Sequence, residues 1–275
     1  MKSISLGQYY PAKSYLHSAD PRIKLIMSII FIVASFVCKN IFGFIGLLLY
    51  TFLLVLISRI PIKMILRAVR PIMFILLFTT IINVFWTQGS GQPLFAWKFI
   101  SIYTEGLYNA FFMIVRIIAL VVGASVLITY TTTPIALTDA IESLLAPLKK
   151  IKVPVHDFAM MMTIALRFIP TLVDETEKIM AAQKARGADF SNGSLIKRAK
   201  ALIPILIPLF VSAFRRADEL ATAMECRCYR GGEGRTKLRA LKCRVSDIFG
   251  LIVVIILCAG LVLFNFLKLG YTMVN

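Results

Sequence analysis

Acidic side chains are scarce in this chain: 14 Asp and Glu stand against 31 Lys and Arg in 275 residues, a formal net charge of +17. Histidine is scarcer, with only His17 and His156. A hydrolase site therefore has little to be built from. No His-Glu-x-x-His pattern occurs, and the acidic group Asp174-Glu175-Glu177 has no histidine near it in sequence, so it reads as solvated helix charge. The five cysteines, at 38, 226, 228, 243 and 258, are odd in number, which argues against a disulfide framework. Cys226-x-Cys228 is spaced more tightly than the usual zinc pair and lacks a fourth ligand in sequence. A phosphate loop is missing too. The nearest window, Tyr229 to Gly234-Arg235-Thr236, has tyrosine for the first glycine and arginine for the lysine, and it follows a helical pattern instead of a strand. Nucleotide hydrolysis by this chain itself is thereby excluded. The first twenty residues are polar and mixed, without the apolar run of a cleavable signal.

What is abundant is apolar sequence. Hydrophobic residues make up 59% and charged ones 16%, too apolar a balance for a solvated domain. Uncharged runs at 25–38, 40–58, 71–97, 117–138 and 248–267 predict five membrane spans, the fourth reaching back towards Gly106 if Arg116 lies inside it. The first run is short and needs the stems of Arg22 and Lys24 to snorkel; a re-entrant hairpin over 25–58 is the alternative. Of the 31 basic residues, 27 precede the first span, lie between the second and third, or fall in 131–245. Only Lys39, Lys98 and Lys268 lie in the other connections. The amino terminus and 131–245 are therefore expected on the cytoplasmic side and the carboxyl terminus outside. Residues 1–131 then form a membrane domain of four helices, 132–245 a cytoplasmic module, and 246–275 the final span and an external tail. Topology and anionic lipid account for most of the net charge, and no nucleic-acid partner is required. Arg116, about 11 residues inside the fourth span, is expected to pair within the bundle, with Asn83 on the third span as candidate partner, or else to snorkel along a tilted helix. A stand-alone secondary transporter is the competing class, but it would usually show intramembrane acids or broken helices in paired repeats.

Within 131–245, two stretches repeat each other at an offset of 41 residues, Glu177 to Gly187 and Asp218 to Cys228. Each ends a helical pattern in one arginine, Arg186 or Arg227, with Gly187 following the first where a helix C-terminus favours glycine. A helix macrodipole alone favours cations there, yet a matched pair points to two positioned guanidinium groups. Thr133-Pro134 predicts a helix start, a second helix begins after Pro154, and a third begins near Leu195 after the turn Ser191-Asn192-Gly193-Ser194. The third is expected to bend at Pro204 and Pro208 and to run into the Gly231-Gly232 stretch, beyond which Arg235 to Arg244 is a basic approach to the last span. The patch Met160-Met161-Met162 and the run Leu202 to Ile207 are more apolar than a solvated loop permits. They lie against the membrane or another protein, or pack among the three helices themselves. Small residues at 181, 182, 185, 213, 217, 221 and 223 permit close backbone approach where two helices cross.

These residues carry a family resemblance. Gly7-Gln8-Tyr9, Ser14, Leu16-His17 and Asp20-Pro21-Arg22-x-Lys24, then Thr133-Pro134-x-x-Leu137-Thr138-Asp139-Ala140-Ile141-Glu142, then Leu166-Arg167-Phe168-Ile169-Pro170-Thr171 and the two arginine motifs resemble, in order, the transmembrane coupling subunit (EcfT) of energy-coupling factor transporters. The resemblance spans nearly the whole chain. It implies an all-α integral membrane protein of about five transmembrane helices plus a cytoplasmic module of three coupling helices, two of them long and crossing. It implies that each long helix docks its tip on one of two ATP-binding subunits. Ala185-Arg186-Gly187 matches the family's Ala-Arg-Gly tip fully, whereas Cys226-Arg227-Cys228 keeps the arginine and replaces both neighbours. The remaining implied partner is a separate substrate-binding S-component in the prokaryotic cell membrane. ATP and Mg are then bound by the partner ATPases, and this chain binds no cofactor or metal and catalyses nothing. Uptake of vitamins through a shared module is the expectation; a dedicated cobalt, nickel or biotin importer is the alternative.

Overall fold

The computed structural model describes residues 9–86, 95–97, 100–188, 190, 194–232, 241 and 243–266. Its regular structure is almost wholly helical: α1 (Tyr15–Ser18), α2 (Pro21–Val37), α3 (Ile41–Ser58), α4 (Ile62–Val69), α5 (Met73–Trp86), α6 (Thr104–Ala124), α7 (Pro134–Leu145), α8 (Val155–Ala185), α9 (Leu195–Cys226) and α10 (Val245–Phe266). Two three-residue strands, β1 (Phe95–Trp97) and β2 (Ile100–Ile102), pair antiparallel with Phe95 opposite Ile102. Together with its apolar composition, this makes the chain an all-α membrane protein. It divides into two compact units, Gly7–Ala140 with Ala240–Asn275, and Ile141–Arg239. The turn at 191–193, most of Arg235 to Arg244 and the tail Tyr271 to Asn275 lie outside the described residues.

The first unit is a bundle whose starts are written in local sequence. Asp20 caps α2, its Oδ1 accepting from Arg22 N at 2.9 Å, and Pro21 fits the first helical position because it has no N–H to leave unpaired. Phe31 of α2, Leu47 of α3, Val126 and Leu127 beyond α6, and Val254 of α10 are each almost fully buried in one core. Gly123 permits α6 to approach α2 closely, since a Cβ there would collide with the Phe31 ring. The outward face is apolar as well, with Phe52, Phe74, Leu77 and Phe249 exposed, the pattern of a bundle whose solvent is lipid.

Three helical stretches are long and apolar enough to cross a membrane: Ile41–Ser58, Ile62–Phe85 and Thr104–Tyr130; Val245–Leu261 is a shorter apolar one. Three boundaries differ from those expected. The third span begins at Ile62, not 71, because the 3₁₀ turn Arg70–Ile72 carries the helix through Pro71 while Lys63, Arg67 and Arg70 occupy its first turns. Its described part runs to Trp86, and Phe95–Trp97, expected within the same span, is the strand β1. The fourth stretch stops at Tyr130, eight residues short of the uncharged run, and its last turn, Ser125–Tyr130, is a π-helix. Past it, Thr133 Oγ1 accepts from Ala136 N at 3.3 Å and Pro134 opens α7, the helix start expected there.

The second unit contains the two longest helices. α8 follows Pro154 and α9 follows the cap Ser194, whose Oγ accepts from Lys197 N at 3.4 Å. Arg216 Nη2 of α9 donates to Glu175 Oε2 of α8 at 2.7 Å. Near the far end of α8, Gln183 Nε2 donates to Pro204 O at 3.5 Å. Later residues of α8 thus meet earlier residues of α9, so the helices pack antiparallel.

Candidate docking site

The two arginine tips share one backbone geometry. After α8, Ala188 N donates to Gln183 O at 3.0 Å and Gly187 N to Lys184 O at 3.0 Å, with Gly187 at φ +88°. After α9, Tyr229 N donates to Met224 O at 3.0 Å and Cys228 N to Glu225 O at 2.8 Å, with Cys228 at φ 56°. Both are Schellman caps, which satisfy the last carbonyls of a helix and require a left-handed residue just past its end. Arg186 and Arg227 each occupy the residue before that position, and each is exposed together with Ala185 and Gly187 or Cys226 and Cys228. Glycine supplies the left-handed conformation freely at 187. At 228 a cysteine holds it against a Cβ clash worth roughly 1–2 kcal/mol.

Their placement follows from the repeat. Glu175 and Arg216 are separated by the same offset of 41 that relates the tips, so this ion pair joins equivalent positions of two antiparallel helices. A local pseudo-twofold axis passes there. Each arginine lies 11 residues beyond its own member of the pair, in opposite directions, which puts the tips roughly 30 Å apart at 1.5 Å per residue. Consistently, Arg227 and Cys228 line a cavity of about 420 Å³ with Met160 and Ile164, at the beginning of α8, whereas Arg186 ends that helix. Glu175 is therefore not simple solvated charge; its partner is invisible in sequence because it lies on another helix.

The apolar patches on these helices are only partly consumed by packing. Ile205 is buried, but Met161, Met162, Leu202, Ile203, Leu206 and Ile207 remain exposed, as do Phe210 and Phe214, whose rings pack 5.5 Å apart. Among the described residues no group of three or more His, Cys, Asp and Glu is placed to hold a metal ion.

Arg116 does not use the expected partner. Its Nη2 donates to Cys38 O at 2.6 Å and its guanidinium lies 5.3 Å from the Phe44 ring centroid, while Asn83 Nδ2 donates to Thr79 O and to Met113 Sδ. Cys38 is the C-cap of α2, so the arginine meets a helix end with free carbonyls and a favourable dipole. The break between α2 and α3, not the polar side chain on the neighbouring span, decides where this cation is satisfied. We expect Arg116→Leu to insert normally yet to lower transport of the assembled system at least tenfold, with Arg116→Lys intermediate. Uptake at the wild-type rate would show that the cap is dispensable.

The sequence did not reveal a polar knot at the start of α2. Lys24, one residue ahead of the first uncharged run, is 2% exposed, and its Nζ donates to Thr131 O at 3.0 Å and Thr132 Oγ1 at 3.4 Å. Burial lowers its pKa to about 8, against the attraction of Asp247 and Asp20. Asp247 Oδ2 accepts from Asp20 N at 3.2 Å and Arg244 N at 3.1 Å, and Arg22 Nη2 donates to Leu241 O at 3.2 Å. His17 Nε2 meets Tyr10 O at 2.8 Å, a pure acceptor, so that nitrogen carries the proton and Nδ1 accepts from Ser14 Oγ at 2.7 Å. Burial, the largest influence on His17, holds its pKa below the usual value and favours this neutral ring. The amino-terminal signature thus ties α2 to the start of α10 and the end of the fourth span. Asp247, the one acid opening an apolar last span, was the available signal.

Known proteins resemble the chain over most of its length. The family described as CbiQ, Cobalt transport protein, matches residues 12–238. The energy-coupling factor transporter transmembrane protein EcfT of Ruminiclostridium cellulolyticum is 56% identical over 248 residues, 90% of this chain and 92% of that protein. Proteins of the same description from Clostridium kluyveri and Bacillus subtilis are 51% identical over 262 residues and 46% over 259. The former match covers 95% of this chain and 97% of the relative, the latter 94% and 97%.

Proposed function

The chain belongs to the EcfT family of energy-coupling factor transporter transmembrane proteins, and we propose that within such a transporter it couples two cytoplasmic ATPases to a separate substrate-binding membrane subunit. It is a membrane subunit with a non-catalytic role. The observation that carries the coupling reading is the pair of equivalent Schellman-capped tips, set in opposite directions about the Glu175–Arg216 pair. A pseudo-twofold helix pair offers two similar contacts to two similar but distinct motors. Arg186 and Arg227, with Ala185, Gly187, Cys226 and Cys228, are the docking residues. ATP and Mg reside on the motors, and their rearrangement moves α8 and α9. The exposed faces around Met161 and Leu206 meet the substrate-binding subunit, which carries the vitamin. The dedicated single-ion reading has one observation in its favour, the cobalt in the description of the matching family. Residues 1–131 and 246–275 serve as the membrane part with five spans, and 132–245 as the cytoplasmic module.

Affinity-tagged chain should co-purify two different ATP-binding proteins and one small membrane protein. Recovery of the intact chain alone, under conditions that preserve other transporter complexes, would overturn the coupling role. For orientation, Cys228 and Cys243 are exposed. In cells lacking the ATPases, both should react with a membrane-impermeant maleimide only after permeabilisation, and labelling in sealed cells would invert the topology.

A further inference from the structure

Ten residues before Lys24, the chain leaves a cavity of about 940 Å³ between the segment around α1 and the end of α3, within one unit. Its lining is divided by chemistry. Lys13 and Arg59 supply two cations, and Leu53, Leu56 and Ile57 supply an apolar wall that continues the outward, lipid-facing surface of α3 through Phe52. Both cations are exposed, and neither side chain has a hydrogen-bond or carboxylate partner among the described residues. The nearby polar groups are already committed: both His17 nitrogens are taken by Ser14 and Tyr10, and Ser18 Oγ donates to Tyr15 O at 3.0 Å. Arg59 is held in place by an unusual backbone. It is the C-cap of α3 at φ 56°, a conformation that any side chain adopts at a cost.

We propose that this cavity seats one anionic phospholipid, its phosphate between Lys13 and Arg59 and an acyl chain along Leu53, Leu56 and Ile57. The occupant follows from charge and position together. A free phosphate would satisfy the two cations and leave the apolar wall uncovered. A zwitterionic lipid would cover the wall and bring its own cation to a site that already has two. Paired cations can each donate to phosphate oxygens, and a guanidinium does so in a bidentate fork. The site rests only on α3 lying in the bilayer, and it holds whether or not the tips dock on ATPases.

The test uses the full chain, purified within its membrane complex and studied by native mass spectrometry after exchange into dioleoyl phosphatidylglycerol, dioleoyl phosphatidylcholine or glycerol phosphate. We expect retained phosphatidylglycerol and little phosphatidylcholine. The Lys13→Ala, Arg59→Gly variant should lower phosphatidylglycerol retention about tenfold. Glycine at 59 accepts the left-handed backbone, so that variant removes charge without adding strain. Ile57→Trp, which keeps both cations and fills the apolar wall, should lose the lipid as well. Lys63→Ala, Arg70→Ala removes equal charge elsewhere on the surface and should retain it. Wild-type retention in the first variant or in Ile57→Trp would overturn the site, as would equal loss in the Lys63, Arg70 control. Displacement of the lipid by equimolar glycerol phosphate would make it an anion site and overturn the acyl contact.

Discussion

Replacing both Arg186 and Arg227 with alanine should leave the chain inserted in the membrane and abolish ATP-driven uptake. Both side chains are exposed at the C-caps of their helices, so neither is part of a buried core. Their loss is felt only where a partner covers them. Truncating a desolvated, hydrogen-bonded charge at an interface typically costs about 2–5 kcal/mol, so two such losses in the proposed assembly would be enough to release or uncouple the ATPases. The single variants need not contribute equally or additively, because in the proposed assembly both tips serve one complex. Lysine should not substitute fully, since an ammonium lacks the planar fork of a guanidinium. The backbone gives a separate expectation: Cys228→Gly preserves the cap and relieves its left-handed strain, so the isolated chain should be as stable or more stable. Measurements of uptake and of ATPase co-purification at matched expression decide the matter. Wild-type uptake by the double alanine variant would remove the docking role, and equal performance by the double lysine variant would remove the fork while keeping the charge.

Asp247→Ala should be the most destabilising single change in the membrane bundle. The carboxylate is 2% exposed and accepts from two backbone N–H groups, Asp20 N and Arg244 N, while its charge offsets that of buried Lys24. Alanine leaves both donors without this acceptor and one buried cation less compensated. Breaking a buried polar arrangement in this way costs about 3–5 kcal/mol, which should lower the midpoint of thermal unfolding in detergent by roughly 5–10 °C. Lys24→Met should cost less, because an apolar side chain of similar length occupies the space without a desolvation penalty. The two substitutions combined should cost less than their sum. Lys24 also predicts a pH dependence. Its folded pKa of about 8 lies below the unfolded value of 10.5, so the unfolded chain holds more protons between them. Stability from this group therefore rises as pH increases through that window, and Lys24→Met should remove that rise. An Asp247→Ala protein that melts with the wild type would show that the knot does not hold the bundle.

The sequence by itself determined the class of this protein and most ends of the helices α7, α8 and α9. Uncharged runs of spanning length are incompatible with a solvated fold, and that argument needs no coordinates. Thr133, Pro154 and Ser194 mark helix starts through local backbone chemistry, and Arg186 and Arg227 mark the helix ends in the same way. Span limits were less legible. Lys63, Arg67 and Arg70 interrupt the hydropathy pattern without interrupting backbone hydrogen bonds, so the helix begins at Ile62 even though its apolar signal begins later. What only the tertiary structure decided was pairing across helices. Asn83 on the third span was the candidate for Arg116, but the Cys38 carbonyl at the end of α2 accepts from it instead. Glu175 has no partner within its own helix, and its partner lies 41 residues away. Lys24 and Asp247 are separated by most of the chain, yet they lie in one buried knot. Periodicity records which face of a helix is apolar; which helix end or side chain meets that face is set by packing among distant segments, because a buried polar group is satisfied by whatever donor or acceptor the fold brings within about 3 Å of it.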